Sequence, residues 1–194
     1  MNYLAHLHIA EVCHSHFAGN LLGDFVKGSP EQQHPAEVAA GIRLHRFVDS
    51  FTDQHPLVKQ AKTLFVDERR RYAPIALDMF WDHCLAKHWQ QYHSKPLSHF
   101  NRHAAAEVAR YQDNLPERYQ RLMRYMWPQR WLESYQEIDN IGLSLARMSQ
   151  RSPRMAPLAD CIIDLQQHYH ALEEIFPEFY PLLLTAAQQQ TVNR

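Results

Sequence analysis

The chain is short of glycine, with five among 194 residues, and its β-branched residues never alternate with polar ones over a useful length. A half-buried strand needs that two-residue alternation, so a sheet-based fold is not expected. Cysteine is scarce too. Cys13, Cys84 and Cys161 are odd in number, widely spaced and form no Cys-x-x-Cys pair. That argues against a disulfide framework or a zinc ribbon and fits a reducing cytoplasm. The opening MNYLAHLHIAEVCHSH has no basic n-region and two histidines interrupt its apolar run, so no signal peptide is expected. No window approaches the roughly 18 apolar residues of a membrane span. The net charge is −1 and the pI about 6.9, which removes the global basic field usual in nucleic-acid binders. A Gly-rich phosphate loop, a Gly-x-Ser-x-Gly elbow and a His-Glu-x-x-His helix are all absent.

Apolar residues recur instead at three- and four-residue spacing almost everywhere. The pattern predicts helices at 2–12, 16–27, 36–52, 56–70, 74–93, 95–112, 116–126, 130–149 and 155–187. Pro56, Pro74 and Pro116 stand where new helices should begin, since proline is tolerated in a first turn. Asp53, Ser98 and Ser152 are candidate N-caps. Pro177 and Pro181 should kink or end the last helix. Without a repeat, linker or composition break, the expectation is one all-α domain over 1–187, a multi-helix bundle with a polar tail at 188–194 that frays.

Fourteen histidines are unusual for this length; His34, His93, His99 and His103 lie in polar contexts and read as surface residues. Two i,i+4 pairs carry more information: His45 with Asp49 in GIRLHRFVDSFTD, and Asp78 with Asp82 in LDMFWDHCL, where His83 follows at once. Residues four apart share a helix face, and polar groups buried there without partners cost several kcal/mol. Asp24 lies between Leu22 and Phe25, and His6 among Tyr3, Leu4 and Leu7. Together His6, Asp24, His45, Asp49, Asp78, Asp82 and His83 form a His/Asp set from four predicted helices. Imidazole and carboxylate ligands suit Mn²⁺, Fe²⁺, Zn²⁺ or Mg²⁺, and such a centre can orient phosphate oxygens and activate water. A single such pair is more often a surface hydrogen bond; the argument rests on their accumulation.

Other constellations are weaker. Glu11-x-x-His14 and Glu31-x-x-His34 match one element of di-iron bundles, but the further glutamates are missing. Four tryptophans at helical spacing read as core. Lys27, Arg43 and Arg46 flank the candidate ligands, and Arg69, Arg70 and Arg71 end a predicted helix, where their charge complements the helix dipole. A basic rim of this kind suits a phosphate or an acidic partner; a solvated face explains it almost as well.

The segments MNYLAHLHIA, GNLLGDFVKG, GIRLHRFVDSFTDQHP, RRRYAPIALDMFWDHCLAKHW and the late FYP resemble, in order and spacing, the bacterial acyl carrier protein phosphodiesterases. The resemblance implies an all-helical cytoplasmic enzyme, similar to a divergent member of the His-Asp phosphohydrolase superfamily. It implies hydrolysis of 4′-phosphopantetheine from a serine of holo acyl carrier protein, giving apo-protein, with a divalent metal, preferably Mn²⁺, as cofactor. Asp24, His45 and Asp82 with His83 fall in the family's motifs; His6, Asp49 and Asp78 would ligate or orient ligands. Asp24, His45 and His83 are the expected catalytic residues, His83 or His45 serving as general acid. Lys27, Arg43, Arg46 and the Arg69–Arg71 cluster would meet the acidic carrier helix. The chain contains no His-Asp dipeptide, only the reversed Asp82-His83, so that superfamily's motif does not transfer position by position. Two other readings keep the helical fold: a phosphohydrolase acting on a nucleotide or small phosphoester, and a non-catalytic module that binds the carrier.

Overall fold

In the computed structural model, which describes residues 1–192, the chain is helical throughout, with no strand among the described residues. The α-helices are α1 (Tyr3–Val12), α2 (Phe17–Leu22), α3 (Ala36–Gln54), α4 (Pro56–Lys62), α5 (Asp67–Arg70), α6 (Ala73–Lys87) and α7 (Trp89–Tyr92). They continue as α8 (Leu97–Ala109), α9 (Glu117–Met126), α10 (Trp131–Ser134), α11 (Ile138–Ser149), α12 (Cys161–Gln167) and α13 (Tyr169–Val192). Short 3-10 turns cover Pro30–Gln32 and Pro153–Leu158.

Two helices are buried on nearly every side, and the others cover them. Every residue of α1 from Leu4 to Ala10 is buried, and α6 buries all of Met79–Ala86. A helix apolar all round belongs in a core; here α1 packs on α2, α3, α6 and α13. Its amino end is capped from a distance. The Asn2 side chain makes no capping bond, and the Asp82 carboxylate on α6 accepts instead from the Leu4 N–H at 2.7 Å and the Ala5 N–H at 3.0 Å. Those donors have no partner within α1, so one carboxylate satisfies two of them and ties α1 to α6.

Helices α2 and α3 approach at backbone distance. A Cβ on Gly19 would lie 2.5 Å from the Val38 carbonyl oxygen, so only glycine permits this crossing. The closeness sets α2's carbonyls within reach of α3's side chains.

The predicted helices exist, but several are divided. The segment 16–27 stops at Leu22, and bonds from Phe25 N and Val26 N to the Leu22 carbonyl form a turn that carries Asp24. The segment 56–70 breaks after Lys62, where 3-10-type bonds let Phe65 drop into the core. His88 interrupts 74–93. Arg130, with left-handed backbone, precedes α10, and 130–149 becomes α10 and α11. The segment 155–187 resolves into a 3-10 turn, α12 and α13.

Pro177 and Pro181 do not end the last helix; both lie inside α13. Each interior proline costs about 3 kcal/mol. Phe176, Phe179, Tyr180 and Leu183 are buried on that stretch, and Phe176 stacks on Trp81 of α6 at 6.1 Å. At about 1.5–3 kcal/mol per buried side chain, packing outweighs the local penalty. Helix α13 also continues through the segment expected to fray, as far as Val192, with Ala187 buried; residues 193–194 of that tail lie outside the described residues. Asp53 is not a cap: it pairs with Lys62, while the His55 ring accepts from Leu57 N at the start of α4. Ser152 makes no capping bond and Ser98 lies inside α8. Among the described residues no helix is long and apolar enough to cross a membrane.

The Asp82 cap predicts its own test. Asp82→Ala leaves two buried N–H groups without acceptors and should lower the unfolding free energy by about 2–5 kcal/mol. Asp82→Asn, which keeps one carbonyl oxygen, should recover part of it. An unchanged urea midpoint for Asp82→Ala would remove the cap from this account.

Candidate functional site

Four of the seven His/Asp candidates converge. His6 comes from α1, His45 and Asp49 from α3, and Asp24 from the turn after α2. The His6 and His45 rings stack with centroids 3.8 Å apart. Asp49 bridges them, with Oδ1 3.1 Å from His6 Nε2 and Oδ2 3.0 Å from His45 Nε2. Asp24 Oδ1 lies 3.4 Å from the same His45 nitrogen. Ligand atoms of His6, His45 and Asp49 all fall within 4.8 Å of one another. Both imidazoles are buried, whereas the Asp24 and Asp49 carboxylates are 52% and 39% exposed. The centre therefore opens to solvent on its acidic side.

Local packing dictates this geometry. The close crossing of α2 on α3 puts the Asn20 carbonyl 2.7 Å from His45 Nδ1. The Nδ1–H donates there, which turns Nε2 toward Asp24 and Asp49. A metal-binding histidine is typically held in this way, its second nitrogen donating to a carbonyl or carboxylate. Gly23 makes room for the ring: a Cβ there would lie 2.2 Å from His45 Cγ. A glycine beside Asp24 in so glycine-poor a chain is the sequence signal that could have pointed to this contact.

The electrostatics match a cation site. Burial lowers the pKa of His45, but Asp24 and Asp49 outweigh it and raise it to about 9. Burial, and then His45, lower that of His6 to about 4. Burial opposes ionisation of Asp49, yet His45 and His6 hold its carboxyl far below the usual range. The pair thus carries one positive charge near neutral pH, on His45, and its Nε2–H stands where a divalent cation would sit. His45 Nε2 is buried and lacks a well-directed hydrogen bond despite its two close carboxylates. Two imidazoles with one or two carboxylates fit a divalent first-row metal or Mg²⁺.

The other candidates lie around or away from this cluster. Asp78 accepts from the Met1 ammonium at 2.7 Å, and that ammonium stands 3.5 Å from Asp49. The ammonium is fully buried; burial would depress its pKa, but Asp78 and Asp49 raise it to about 10. No sequence motif marks such a contact. Asp82 is spent on the α1 cap, and burial, only partly offset by those two N–H bonds, pushes its pKa up to about 7. His83 is not brought to the cluster. Its Nδ1 donates to the Tyr135 carbonyl, and its Nε2 meets the Tyr169 hydroxyl at 2.6 Å, which Lys87 also contacts. Asp82 and His83 are neighbours on α6 and so point to different sides of it.

Most of the expected anion-binding residues are otherwise engaged. Arg43 pairs with Glu31, and Arg46 donates to the carbonyls of Gly28 and Val26. Arg69 makes a two-point pair with buried Asp164, at 2.6 and 3.0 Å, rather than simply closing a helix. Arg70 pairs with Asp67, and Arg71 reaches the Tyr72 hydroxyl and the Arg154 carbonyl. Lys27 is exposed, with no ion pair among the described residues.

Residues 1–183 match the family model described as acyl carrier protein phosphodiesterase. A protein of that description from Pectobacterium atrosepticum is 47% identical over 98% of this chain and 99% of its own. One from Yersinia pestis is 44% identical over 99% and 100%, and one from Escherichia coli O6:H1 42% over 99% and 100%. No solved structure matches the chain.

The protonation pattern gives opposite pH trends with and without metal. Without metal, the raised pKa of His45 contributes stability that is complete below about pH 6.5. It is lost as pH rises through about 9, and the Met1 ammonium adds a loss through about 10. The lowered pKa of Asp49 acts only in acid. Chelated protein should therefore melt at a lower temperature at pH 9.5 than at pH 6. Calorimetrically measured Mn²⁺ affinity should instead rise over that range, because the His45 proton leaves on binding. His45→Ala or Asp49→Ala should weaken it about 100-fold; a pH-independent affinity would contradict the assignment.

Proposed function

Since this chain belongs to the acyl carrier protein phosphodiesterase family, we propose that it hydrolyses the phosphodiester joining 4′-phosphopantetheine to a serine of holo acyl carrier protein. The products are apo-carrier and free 4′-phosphopantetheine. The observation that carries the reading is the solvent-open cluster of His6, Asp24, His45 and Asp49, with His45 Nε2 aimed between two carboxylates. Mn²⁺ is the favoured ion, Mg²⁺ or Fe²⁺ the alternatives. The all-helical, His/Asp-only donor set also underlies our reading of the chain as a divergent relative of the His-Asp phosphohydrolases. We place its work in the cytoplasm, where it would act on carriers of fatty acid synthesis.

His6, His45 and Asp49 would hold the metal. When bound, a divalent ion supplies Lewis-acid polarisation of the phosphoryl group and eases deprotonation of water near neutral pH. Asp24, the most exposed of the four and the loosest in its contact to His45, is placed to accept the proton of the attacking water. In-line attack forms a new P–O bond as the bond to the serine oxygen breaks, and a proton returns to that oxygen. The Asn20 carbonyl keeps His45 in one tautomer throughout. The Met1 ammonium offsets part of the negative charge that Asp49 and Asp78 bring to the substrate side.

His83 takes no part in this scheme, although family motifs suggest it as general acid. Its two ring nitrogens are already bonded, to Tyr135 and Tyr169.

Incubating holo carrier protein with the purified protein and Mn²⁺ should remove the phosphopantetheine mass from the carrier. Asp24→Ala should abolish turnover, a loss of at least about 100-fold, with the helical circular dichroism intact. His83→Ala should keep wild-type metal stoichiometry by elemental analysis. Wild-type turnover in Asp24→Ala would sink its role, and an unaltered carrier mass with active-site metal bound would sink the substrate.

A further inference from the structure

Asp24 is the least restrained side chain of the centre. Its carboxylate is more than half exposed, and its contact to His45 Nε2, at 3.4 Å, is the one ion pair it makes among the described residues. Its place is therefore set by the backbone that carries it. That backbone runs between α2, which ends at Leu22, and the 3-10 turn that begins at Pro30. A stretch without helical bonds keeps one course only if other groups take up its carbonyls.

Two side chains do so, on alternate residues. Arg46 of α3 donates from Nη2 to the Val26 carbonyl at 2.7 Å and from Nη1 to the Gly28 carbonyl at 2.9 Å. Gln33 donates from Nε2 to the Lys27 carbonyl at 2.8 Å and to the Ser29 carbonyl at 3.0 Å. Four consecutive carbonyls are thus held. Gly28 takes a left-handed backbone within the run, with φ 75°, a conformation that costs residues bearing a Cβ about 1–2 kcal/mol. On the other side of Asp24, the Leu22 carbonyl accepts from Phe25 N and Val26 N, and the Val26 side chain is buried.

Arg46 is the residue after His45. The turn of α3 that supplies one imidazole to the cluster also grips the stretch that carries Asp24, through a carbonyl 20 residues earlier in the chain. Helical spacing already fixes His45 and Asp49 to each other; Arg46 brings Asp24 into the same frame. A single guanidinium–carbonyl bond at a surface is often no more than an alternative to water. Here one guanidinium spans two carbonyls, both within four residues of a site carboxylate that little else restrains.

We infer that Arg46 is a positioning residue for the reaction: with Gln33 it clamps residues 26–29 to α3 and so holds the Asp24 carboxylate at its place beside His45. It touches no reacting atom. Acting as a phosphate ligand instead would oblige it to release both carbonyls. The role rests on the phosphodiesterase reading, in which Asp24 accepts the proton of the attacking water; the clamp itself does not. A base must lie within hydrogen-bond reach of that proton, so small displacements of the stretch are costly to turnover.

The test compares Arg46→Ala, Arg46→Lys and Gln33→Ala with wild type, by steady-state kinetics on holo carrier protein with Mn²⁺ and by amide hydrogen exchange. In Arg46→Ala kcat should fall about 100-fold, the loss that a misplacement of about 1 Å brings, with the KM for the carrier unchanged. Exchange should quicken at the Phe25 and Val26 amides while the core of α3 stays protected. Metal content should match wild type, because His6, His45 and Asp49 hold the ion. Arg46→Lys keeps the charge without the fork and should recover part of kcat. Gln33→Ala changes an exposed side chain; it should repeat the pattern at smaller amplitude, and it serves where Arg46→Ala fails to fold. A raised KM with unchanged kcat overturns the proposal and makes Arg46 a substrate ligand. Unchanged exchange at Phe25 and Val26 overturns the clamp, and faster exchange with wild-type kcat overturns its part in turnover. Should the wild type leave holo carrier intact, the phosphodiesterase reading falls and exchange alone decides the clamp.

Discussion

One buried carboxylate holds this architecture in register. Asp82 is fully excluded from solvent, a costly position for an ionisable group, and it is tolerated because two otherwise unsatisfied N–H groups of α1 point at it. The bond pair fixes where α1 starts, and with it the depth of every residue along that helix. His6 reaches Asp49 and the Met1 ammonium reaches Asp78 only because the amino end of α1 is seated on α6. The same constraint keeps Asp82 from serving as a ligand: its two oxygens are already bonded.

The centre combines two helix crossings of different closeness. Between α1 and α3 the contact is made by stacked imidazoles; between α2 and α3 it is backbone against backbone at Gly19. Only the second kind can deliver a main-chain carbonyl to His45. Charge then decides protonation. Two stacked imidazoles do not both become imidazolium, and the carboxylates give the positive charge to His45 rather than His6.

His45 and Asp49 were legible from sequence because four-residue spacing on a helix is a reliable statement about shared faces. Asp24 and His6 stood out as polar residues in apolar frames. The pair Asp78 and Asp82 shows the limit of that reasoning. Spacing placed them on one face correctly, but not what lay opposite, which is the amino end of α1 with its ammonium and N–H groups. His83 sat in a family motif and faces Tyr135 and Tyr169. The basic residues misled for a related reason: Asp164, which takes Arg69, lies 95 residues further on and carries no local signal. Fold class followed from periodicity, while helix ends did not. His88 and the turn before Phe65 divide helices that look continuous in the pattern, and α13 runs through two prolines because aromatic burial on Trp81 outweighs them.

The burial of α1 has a consequence for how the chain reaches its native state. This helix precedes α2–α13 in the sequence, yet its cap is 77–78 residues away and the hydroxyl that meets His8 belongs to Tyr180, 172 residues away. Contacts of such sequence separation must wait for loop closure over most of the chain. Helix α1 is therefore an apolar segment without a home until α6 is made, and it lacks its covering layer until α13 is synthesised. Synthesis order and assembly order run in opposite directions here: the opening helix is completed by the last one.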